Sequence, residues 1–291
     1  MKSGRELRVA LFFLLPLLLM VLAFIAVPVA GTIFESFFRD VTFLPRRFLG
    51  VENYRALLAD RTFYQALLFT LLFTFASVPM EMALGMIFAL VLNRSFPWRG
   101  LLRAAVLVPW AIPAVVSGRV FELIYNFSYG LANYLVLTLG LSDSPVNWLG
   151  SSYGAFASLV IADAWRTTPF VAIILLAGLS AIPGELFQQA TIDGAGPLQQ
   201  FVRITLPLLK PVLIVALLFR TIDALRVFDV VYVITGGGPG GTTDALSLYA
   251  YQYFLSGDFG YGSTISVVLF AVALIFAILC VRLSGFRREL I

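Results

Sequence analysis

The sequence predicts an all-α membrane protein with six transmembrane helices, and three observations support that class. Hydrophobic residues make up 60% of the 291 positions, charged residues make up only 12%, and the mean hydropathy is +0.95. A water-soluble domain has too little interior to shield so much apolar surface from solvent. Six apolar runs can each cross a hydrocarbon core, which takes about 20 helical residues. Such runs form helices, because each backbone N–H and C=O group in lipid must be bonded within its own segment.

The six apolar runs give the approximate bounds of the helices. They cover residues 9–31, 64–93, 104–125, 153–179, 207–234 and 261–283. The first run follows a basic start, as in a secretory signal peptide. It is longer than the roughly 7 to 15 residues of a signal-peptide core, so an uncleaved helix is the preferred interpretation. Prolines within the runs permit kinks at transport sites, although membrane helices also tolerate proline without such a role. They are Pro79, Pro109, Pro113 and Pro169.

Basic residues fall mostly on one predicted membrane face. The positive-inside tendency makes that face cytoplasmic, with both termini there. The loop between the first two runs is a contrary observation, because it carries five arginines and its acidic residues count little in this tendency. On this orientation, residues 1–62 form a helix and an extracytoplasmic loop, and residues 63–291 form a core of five helices. The basic residues of the richer face are Lys2, Arg5, Arg8, Arg94, Arg99, Arg103, Arg203, Lys210, Arg282, Arg287 and Arg288.

A polar, glycine-broken segment separates the fourth and fifth runs, with the sequence PGELFQQATIDGAGPLQQFVRITLP from Pro183 to Pro207. It predicts a short helix from about Pro183 to Asp193, because proline suits the first turn and Gly194 suits the stop. Leu186, Phe187 and Ala190 would form an apolar face, with Glu185, Gln188 and Gln189 around it. An apolar ridge of this kind fits a groove on a partner protein.

This segment also carries a spaced motif, formed by Gln188, Gln189, Ala190, Gly194, Ile204, Leu206 and Pro207. It resembles the EAA loop of permease subunits in binding-protein-dependent ATP-binding-cassette importers, whose pattern is Glu-Ala-Ala, three residues, Gly, nine residues and Ile-x-Leu-Pro. Two of the leading three residues depart from that pattern. The resemblance extends to FLGVENY, WRTTPF and FDVVYVITGGGP, which begin at Phe48, Trp165 and Phe228. These segments are similar to the trehalose/maltose type of the oligosaccharide branch.

The resemblance implies a MetI-like, type I importer permease in the cytoplasmic (inner) membrane, with a coupling loop at about residues 181–206. It implies a second permease subunit in a heterodimer, two cytoplasmic ATPase subunits that hold ATP and Mg, and an extracytoplasmic sugar-binding protein. No cofactor is expected in this chain and no nucleic acid among its partners. Gln188 keeps hydrogen bonding but lacks the charge of the family glutamate, and Glu185 is the alternative. The implied coupling residues are Glu185, Leu186, Phe187, Gln188, Gln189, Ala190, Asp193 and Gly194.

Charged residues inside the apolar runs are spaced by three, which places opposite charges within pairing reach on one helix face. The series are Arg119 and Glu122, Asp163 and Arg166, and Arg220, Asp223, Arg226 and Asp229. Either these pairs only neutralise one another, or some of them line a polar pathway. Together with Glu81 they sum to about minus one, which suits an uncharged polyol better than an anion. Aromatic faces complete a sugar site. The predicted pathway residues are Asp163, Trp165, Arg166, Asp223, Phe228, Asp229 and Tyr232.

Several absences exclude other classes of function. The chain has no histidine, so it can form neither a histidine-based triad nor a histidine zinc site, and no catalytic or metal residue is predicted. Cys280 alone permits no internal disulfide. The G-x-x-x-x-G-K-[ST] phosphate loop is missing, so ATP hydrolysis is expected on partner subunits. The glycine-rich stretch at residues 236–241 is either a flexible turn or a rim that meets a binding protein.

The function predicted for the chain is that of a transport subunit rather than an enzyme. It would form the translocation pathway for a di- or oligosaccharide and couple that pathway to ATP hydrolysis on its partners. An ion-coupled secondary transporter that uses Asp163 and Asp229 is the alternative.

Overall fold

The computed structural model describes residues 4–283, and three basic residues used for the orientation, Lys2, Arg287 and Arg288, lie outside that range. The elements are helices joined by short loops, with one small hairpin. In chain order they are α1 (Gly4–Val21), a π-helical turn (Leu22–Ala26), α2 (Val27–Glu35), β1 (Phe38–Arg39), β2 (Arg47–Phe48), α3 (Glu52–Ala59), α4 (Arg61–Asn93), α5 (Arg99–Ala111), α6 (Ala114–Ile124), α7 (Leu131–Thr138), α8 (Ser152–Ser180), α9 (Gly184–Ile192), α10 (Pro197–Gln200), a second π-helical turn (Phe201–Thr205), α11 (Leu206–Leu225), α12 (Asp229–Ile234), α13 (Leu246–Leu255) and α14 (Phe259–Leu283).

The predicted membrane helices are present in the described part of the chain. Five helical stretches are long and apolar enough to span a bilayer, and the pair α5 and α6 makes six if its two halves form one span. The five stretches are Leu11–Glu35, Arg61–Asn93, Ser152–Ser180, Pro197–Leu225 and Phe259–Arg282. Length and composition therefore located the spans approximately, but not their breaks.

Two of the predicted spans are not continuous helices. α5 and α6 meet at 90°, because Ile112 precedes Pro113 and takes an extended conformation, with ψ of 132°. A proline disfavours the helical region for the residue before it, and its own nitrogen cannot donate a hydrogen bond. The prediction of one helix over residues 207–234 is also wrong. α11 ends at Leu225, and a new helix begins at Asp229.

The first of two compact units comprises residues 1–63 and 249–270. Its short hairpin pairs β1 with β2 in antiparallel order. In the same unit, the Asp60 carboxylate accepts hydrogen bonds from the hydroxyls of Tyr249 and Tyr261, and the second of these measures 3.2 Å. The loop before α4 is thereby fastened to α13 and to the start of α14.

The second unit comprises residues 64–248 and 271–291. Its centre is α8, which packs against α5, α6, α11 and α12. Glycines allow close approach between helices, since a Cβ on Gly85 would lie 2.6 Å from Val171 Cγ1. The cluster of fully or nearly fully buried apolar residues in this unit consists of Ala89, Leu92, Val171, Leu175, Leu176, Leu179, Leu209 and Ala216.

Candidate functional site

A buried arginine joins three helices of the second unit. The Arg220 side chain on α11 is 2% exposed, and it donates to both carboxylate oxygens of Glu81 on α4, with Nε–Oε2 at 2.5 Å and Nη2–Oε1 at 2.9 Å. Its Nη2 also lies 3.1 Å from Asp163 Oδ2 on α8, and its Nη1 lies 2.5 Å from Asp223 Oδ2 on α11. The planar guanidinium suits such forked pairing. We call Arg220, Glu81, Asp163 and Asp223 the Arg220 network.

Four of the charge pairs predicted from a spacing of three are present. In each of these four, the nitrogen–oxygen distance is within ion-pair range, because residues three apart are neighbours on a helix surface. The distances are 2.6 Å for Arg119–Glu122, 3.7 Å for Arg166–Asp163, 2.5 Å for Arg220–Asp223 and 3.2 Å for Arg226–Asp223.

The last member of the predicted series behaves differently. Arg226 pairs with Asp223, and within residues 4–283 the Asp229 carboxylate has no ion-pair partner. The reason is the helix break: α11 ends before Arg226, so the spacing rule no longer applies between Arg226 and Asp229. Asp229 is therefore a carboxylate available to a ligand.

The bond between Glu81 and Arg220 was missed by sequence reasoning. The two residues are 139 positions apart, so no spacing rule connects them. A signal was nevertheless present, since Glu81 has no basic residue three or four positions away on its own helix. A lone carboxylate in a span needs a partner from another helix, because an unpaired charge at that depth costs roughly 2.5 to 3.5 kcal/mol by insertion scales.

A cavity of about 180 Å³ brings most of the predicted pathway residues together. It lies between α8 and the connection from α11 to α12, and its predominant lining is polar. Arg166 lines it, and the Arg166 Nε atom is buried and has no hydrogen-bond partner in the described part of the chain. The lining residues are Asp163, Arg166, Asp223, Arg226, Val227, Phe228, Asp229 and Val230.

A second cavity, of about 230 Å³, shares Arg166, Asp223 and Arg226 with the first. Opposite these charged residues the lining is aromatic, and none of its aromatic residues was among the predicted pathway residues. Trp110 stacks on Phe170, with ring centroids 5.8 Å apart and an interplanar angle of 21°. The residues that complete its lining are Trp110, Thr167, Phe170, Phe219 and Arg220. The two cavities together present charged groups beside aromatic faces.

Two of the predicted pathway residues line neither cavity. Trp165 packs edge-to-face on Phe121, with ring centroids 5.4 Å apart. Tyr232 stacks on Phe228 at 5.5 Å and an interplanar angle of 9°. The aromatic signal that sequence reasoning overlooked is Trp110, which lies between two prolines at the break of the α5–α6 pair.

The predicted coupling helix is present as α9, with Pro183 before its first residue and Asp193 at its C-terminal end. Gly194 has φ of +79°, a conformation that glycine adopts without strain. The Ala195 N–H donates to the Ala190 carbonyl at 2.8 Å, and the Gly194 N–H donates to the Thr191 carbonyl at 3.1 Å. This pair of bonds is a Schellman motif, which fixes the end of the helix.

The polar side chains of α9 are exposed, and the predicted apolar face is only partly so. Glu185, Gln188 and Gln189 are exposed. On the predicted apolar face Leu186 is also exposed, whereas Phe187 and Ala190 are half-buried. The more exposed apolar side chains were not predicted. Ile192 is 86% exposed and Leu198, on the following short helix, is 75% exposed.

The long helices before and after this segment both contribute residues to the Arg220 network. α8, which carries Asp163 and Arg166, precedes α9, and α11, which carries Arg220, follows it. The return arm passes through the π-helical turn Phe201–Thr205 before α11 begins. The chain therefore connects α9 to two of the helices that hold the network.

The glycine-rich stretch is a structured loop. Gly236, Gly237, Gly240 and Gly241 all have positive φ. The fully buried Thr243 donates to the Gly238 carbonyl at 2.5 Å and lies 2.9 Å from the Thr235 hydroxyl. These internal bonds disfavour the interpretation as a freely flexible turn.

Comparison with known proteins identifies the family. Residues 81–288 match the binding-protein-dependent transport system inner membrane component family. The chain belongs to that family. It is 52% identical, over 98% of its length and 96% of the relative's, to the trehalose/maltose transport system permease protein MalF of Thermococcus litoralis. It is 36% identical to the trehalose transport system permease protein SugA of Mycobacterium tuberculosis, over 96% of this chain and 90% of that one.

Solved structures share the fold. One is a bacterial ABC transporter involved in the import of the acidic polysaccharide alginate, with a TM-score of 0.83, 23% identity and coverage of 98% of this chain and 96% of that one. Another is the alginate transporter in complex with an alginate pentasaccharide-bound periplasmic protein, with a TM-score of 0.82, 23% identity and coverage of 95% and 93%. The all-α, multi-pass membrane architecture predicted from the sequence is confirmed.

Proposed function

We propose that this chain is a permease subunit of an ATP-driven sugar importer, and that its cargo is a di- or oligosaccharide of the trehalose/maltose type. The observation that carries the proposal is the 52% identity to the Thermococcus litoralis permease over nearly the whole chain. A second permease subunit would complete the pathway, and two ATPase subunits would supply ATP hydrolysis with Mg. Family membership favours this function over an ion-coupled secondary transporter and over an enzyme.

The two cavities provide the chemistry for a neutral sugar. Asp229 and Asp223 offer carboxylate acceptors for hydroxyl groups, and Arg166 and Arg226 offer donors. Trp110 gives the apolar face of a pyranose ring a surface to stack on. Acidic groups slightly outnumber basic ones when the Arg220 network is included, so an anionic cargo gains no net attraction.

Coupling to ATP hydrolysis would pass through α9. Its exposed polar side chains and the neighbouring Ile192 and Leu198 would lie in a cleft of an ATPase subunit. Glu185 is the exposed acidic residue in the first turn of α9, so it would make the charge-assisted contact that Gln188 cannot. Closure of two ATPases around ATP would then shift α9 as a rigid body and move α8 and α11 with it.

The proposal also assigns the two sides of the membrane. α9 and both termini would be cytoplasmic, as the positive-inside tendency indicates. The structured glycine loop at residues 236–241 would face the extracytoplasmic side and meet a sugar-binding protein. The division into an N-terminal helix with its extracytoplasmic loop, residues 1–62, and a core permease domain, residues 63–291, remains part of this proposal.

A reconstitution experiment tests the function. The chain, co-expressed with its partner subunits, is placed in proteoliposomes, and uptake of labelled trehalose and maltose is measured with ATP and Mg on the α9 side. We expect uptake that requires ATP and the binding protein and that persists when ionophores collapse ion gradients. Uptake that proceeds without ATP and stops with ionophores would establish the ion-coupled alternative.

A further inference from the structure

Three arginines without acidic neighbours lie in the turn between α4 and α5 and in the first five residues of α5. Arg94, Arg99 and Arg103 lie within ten positions, and no Asp or Glu occurs in the sequence between Glu81 and Glu122. Across residues 4–283, none of the three arginines takes part in an ion pair, whereas Arg220 has three carboxylate partners. Residues 94–103, which form the turn and the start of α5, therefore concentrate uncompensated positive charge, and we call them the Arg94 turn.

The hydrogen bonding of the Arg94 turn is incomplete. The Nε atoms of Arg99 and Arg103 are buried and, within the part of the chain that the structure describes, have no hydrogen-bond partner. Arg103 Nη2 lies 3.5 Å from the carbonyl oxygen of Leu92, at the end of α4. The first turn of α5 contains no acidic residue, so the positive end of its helix dipole adds to the arginine charge. Arg94 is exposed and Arg99 is half-buried, so an anion with several acceptor oxygens can approach both guanidinium groups.

Exposed apolar side chains lead away from the Arg94 turn along both helices. Ile87 and Val91, four residues apart on one face of α4, are 57% and 45% exposed. Leu101 and Val108, seven residues apart on one face of α5, are 66% and 55% exposed. Trp98, in the turn itself, is 73% exposed, and tryptophan is typical of the membrane–water interface.

We propose that the Arg94 turn binds the phosphate of an anionic membrane phospholipid, whose acyl chains lie along the exposed apolar stripes of α4 and α5. Phosphate oxygens match the forked donors of arginine. Basic pockets beside membrane helices bind anionic headgroups in this way. A free phosphate ion would leave the apolar stripes without a role, and so would an acidic protein surface. The positive-inside tendency explains why arginines occur here but not why their Nε atoms are buried without partners.

Native mass spectrometry of the complete complex in detergent tests this proposal. The probes are phosphatidylglycerol and phosphatidylcholine with the same acyl chains. We expect the wild type to retain phosphatidylglycerol preferentially, and the double variant Arg94→Gln/Arg99→Gln to lose that preference by a factor on the order of twenty, since each basic residue near an anionic surface contributes about fivefold. Arg103 is left in place because it contacts the Leu92 carbonyl.

Two control variants separate charge from folding. Arg94→Lys/Arg99→Lys keeps the charge and is expected to keep most of the preference. Arg47→Gln/Arg55→Gln removes two exposed arginines elsewhere in the chain and is expected to behave as the wild type.

Four outcomes would overturn the proposal. The first is equal retention of the two lipids by the wild type. The second is an unchanged preference in the Arg94→Gln/Arg99→Gln variant. Release of phosphatidylglycerol by inorganic phosphate would indicate a site for free anions. If the Arg94→Gln/Arg99→Gln complex loses an ATPase subunit but keeps the lipid preference, the Arg94 turn contacts a protein instead.

Discussion

The Arg220 network and the segment around α9 use polar residues in opposite ways. In the network, Arg220 is 2% exposed and its guanidinium is bound by carboxylates from α4, α8 and α11. In the segment, Glu185, Gln188 and Gln189 are exposed, and the hydrogen bonds that shape the helix end come from the backbone. The first region satisfies its polar groups internally, and the second leaves them exposed.

This difference separates stability from transport. A buried charge that loses its partner costs far more than an exposed one, because water cannot replace the lost interaction. An exposed side chain that loses a contact with a partner protein leaves the folded chain unchanged. Variants in the Arg220 network should therefore change the melting temperature, and substitutions of the exposed side chains of α9 should change transport alone.

The largest expected effect is that of Arg220→Gln. It leaves the buried Glu81 and Asp163 without their cation, and breaking a buried pair in this way costs about 3 to 5 kcal/mol. We expect a large fall in the melting temperature of the purified protein in detergent. The matched control is Arg226→Gln, because the Arg226 side chain is 68% exposed and exposed pairs contribute only about 0 to 1 kcal/mol. Equal melting temperatures for the two variants would contradict the comparison.

Near α9, Gly194→Ala should impair coupling and should lower the melting temperature less than Arg220→Gln does. Gly194 has φ of +79°, and a left-handed conformation costs an L-residue roughly 1 to 2 kcal/mol. Loosening the helix end by that amount should reduce sugar-stimulated ATP hydrolysis on the order of tenfold, at 1.4 kcal/mol per decade. Gly196→Ala is the control, since a Cβ there meets nothing within 4 Å and its φ is −71°. A normal hydrolysis rate in Gly194→Ala would argue that α9 does not transmit force.

The features that could be predicted from the sequence depend on composition or on residues close together in the chain. Apolar runs placed the spans, since span length follows from bilayer thickness. Residues three apart on one helix gave the pairs at Arg119 and Asp163, because helix geometry alone makes such residues neighbours. The stop at Gly194 was readable because few residues other than glycine adopt positive φ.

The sequence could not reveal features that depend on how helices pack together. Glu81 meets Arg220 only because α4 and α11 approach each other through the fold. The break after Leu225 occurs inside an apolar run, where hydropathy does not distinguish one helix from two. Trp110 lines a cavity and Trp165 packs on Phe121 instead, although both are tryptophans in apolar runs. The direction of a side chain depends on the tertiary arrangement, which the sequence does not show.

Asp229 is intermediate between the buried Arg220 network and the exposed α9 segment. It lines a cavity and, within residues 4–283, has no ion-pair partner. We expect Asp229→Asn to raise the KM for sugar uptake by about tenfold or less, as a hydrogen bond to a charged group contributes roughly 1.5 to 3 kcal/mol and the amide keeps part of it. The melting temperature should not change. Glu122→Gln is the control, since the Glu122 side chain pairs with Arg119 on an exposed surface. Unaltered uptake kinetics would remove Asp229 from the pathway.

The smallest expected effect is that of Asp60→Asn in the first unit. Burial opposes ionisation of Asp60, but hydrogen bonds from the Tyr249 hydroxyl, the Thr62 N–H and the Tyr261 hydroxyl outweigh it and lower the Asp60 pKa below its ordinary value. Burial, together with the hydrogen bond to Asp60, raises the pKa of Tyr249, so this tyrosine stays a donor at neutral pH. Asparagine keeps an acceptor oxygen, so the variant should lose less than about 1 kcal/mol.

The pH dependence of that loss of stability distinguishes the charge of the Asp60 carboxylate from the packing of its side chain. A lowered pKa stabilises the folded state fully above the ordinary aspartate value of about 3.9, and the contribution disappears as the pH falls through the lower value of the folded protein. The melting temperatures of the wild type and Asp60→Asn should therefore differ at neutral pH and converge in acid. Tyr249→Phe, which removes the principal donor, should show the same convergence. A difference that persists in acid would mean that Asp60 stabilises the first unit by packing rather than by charge.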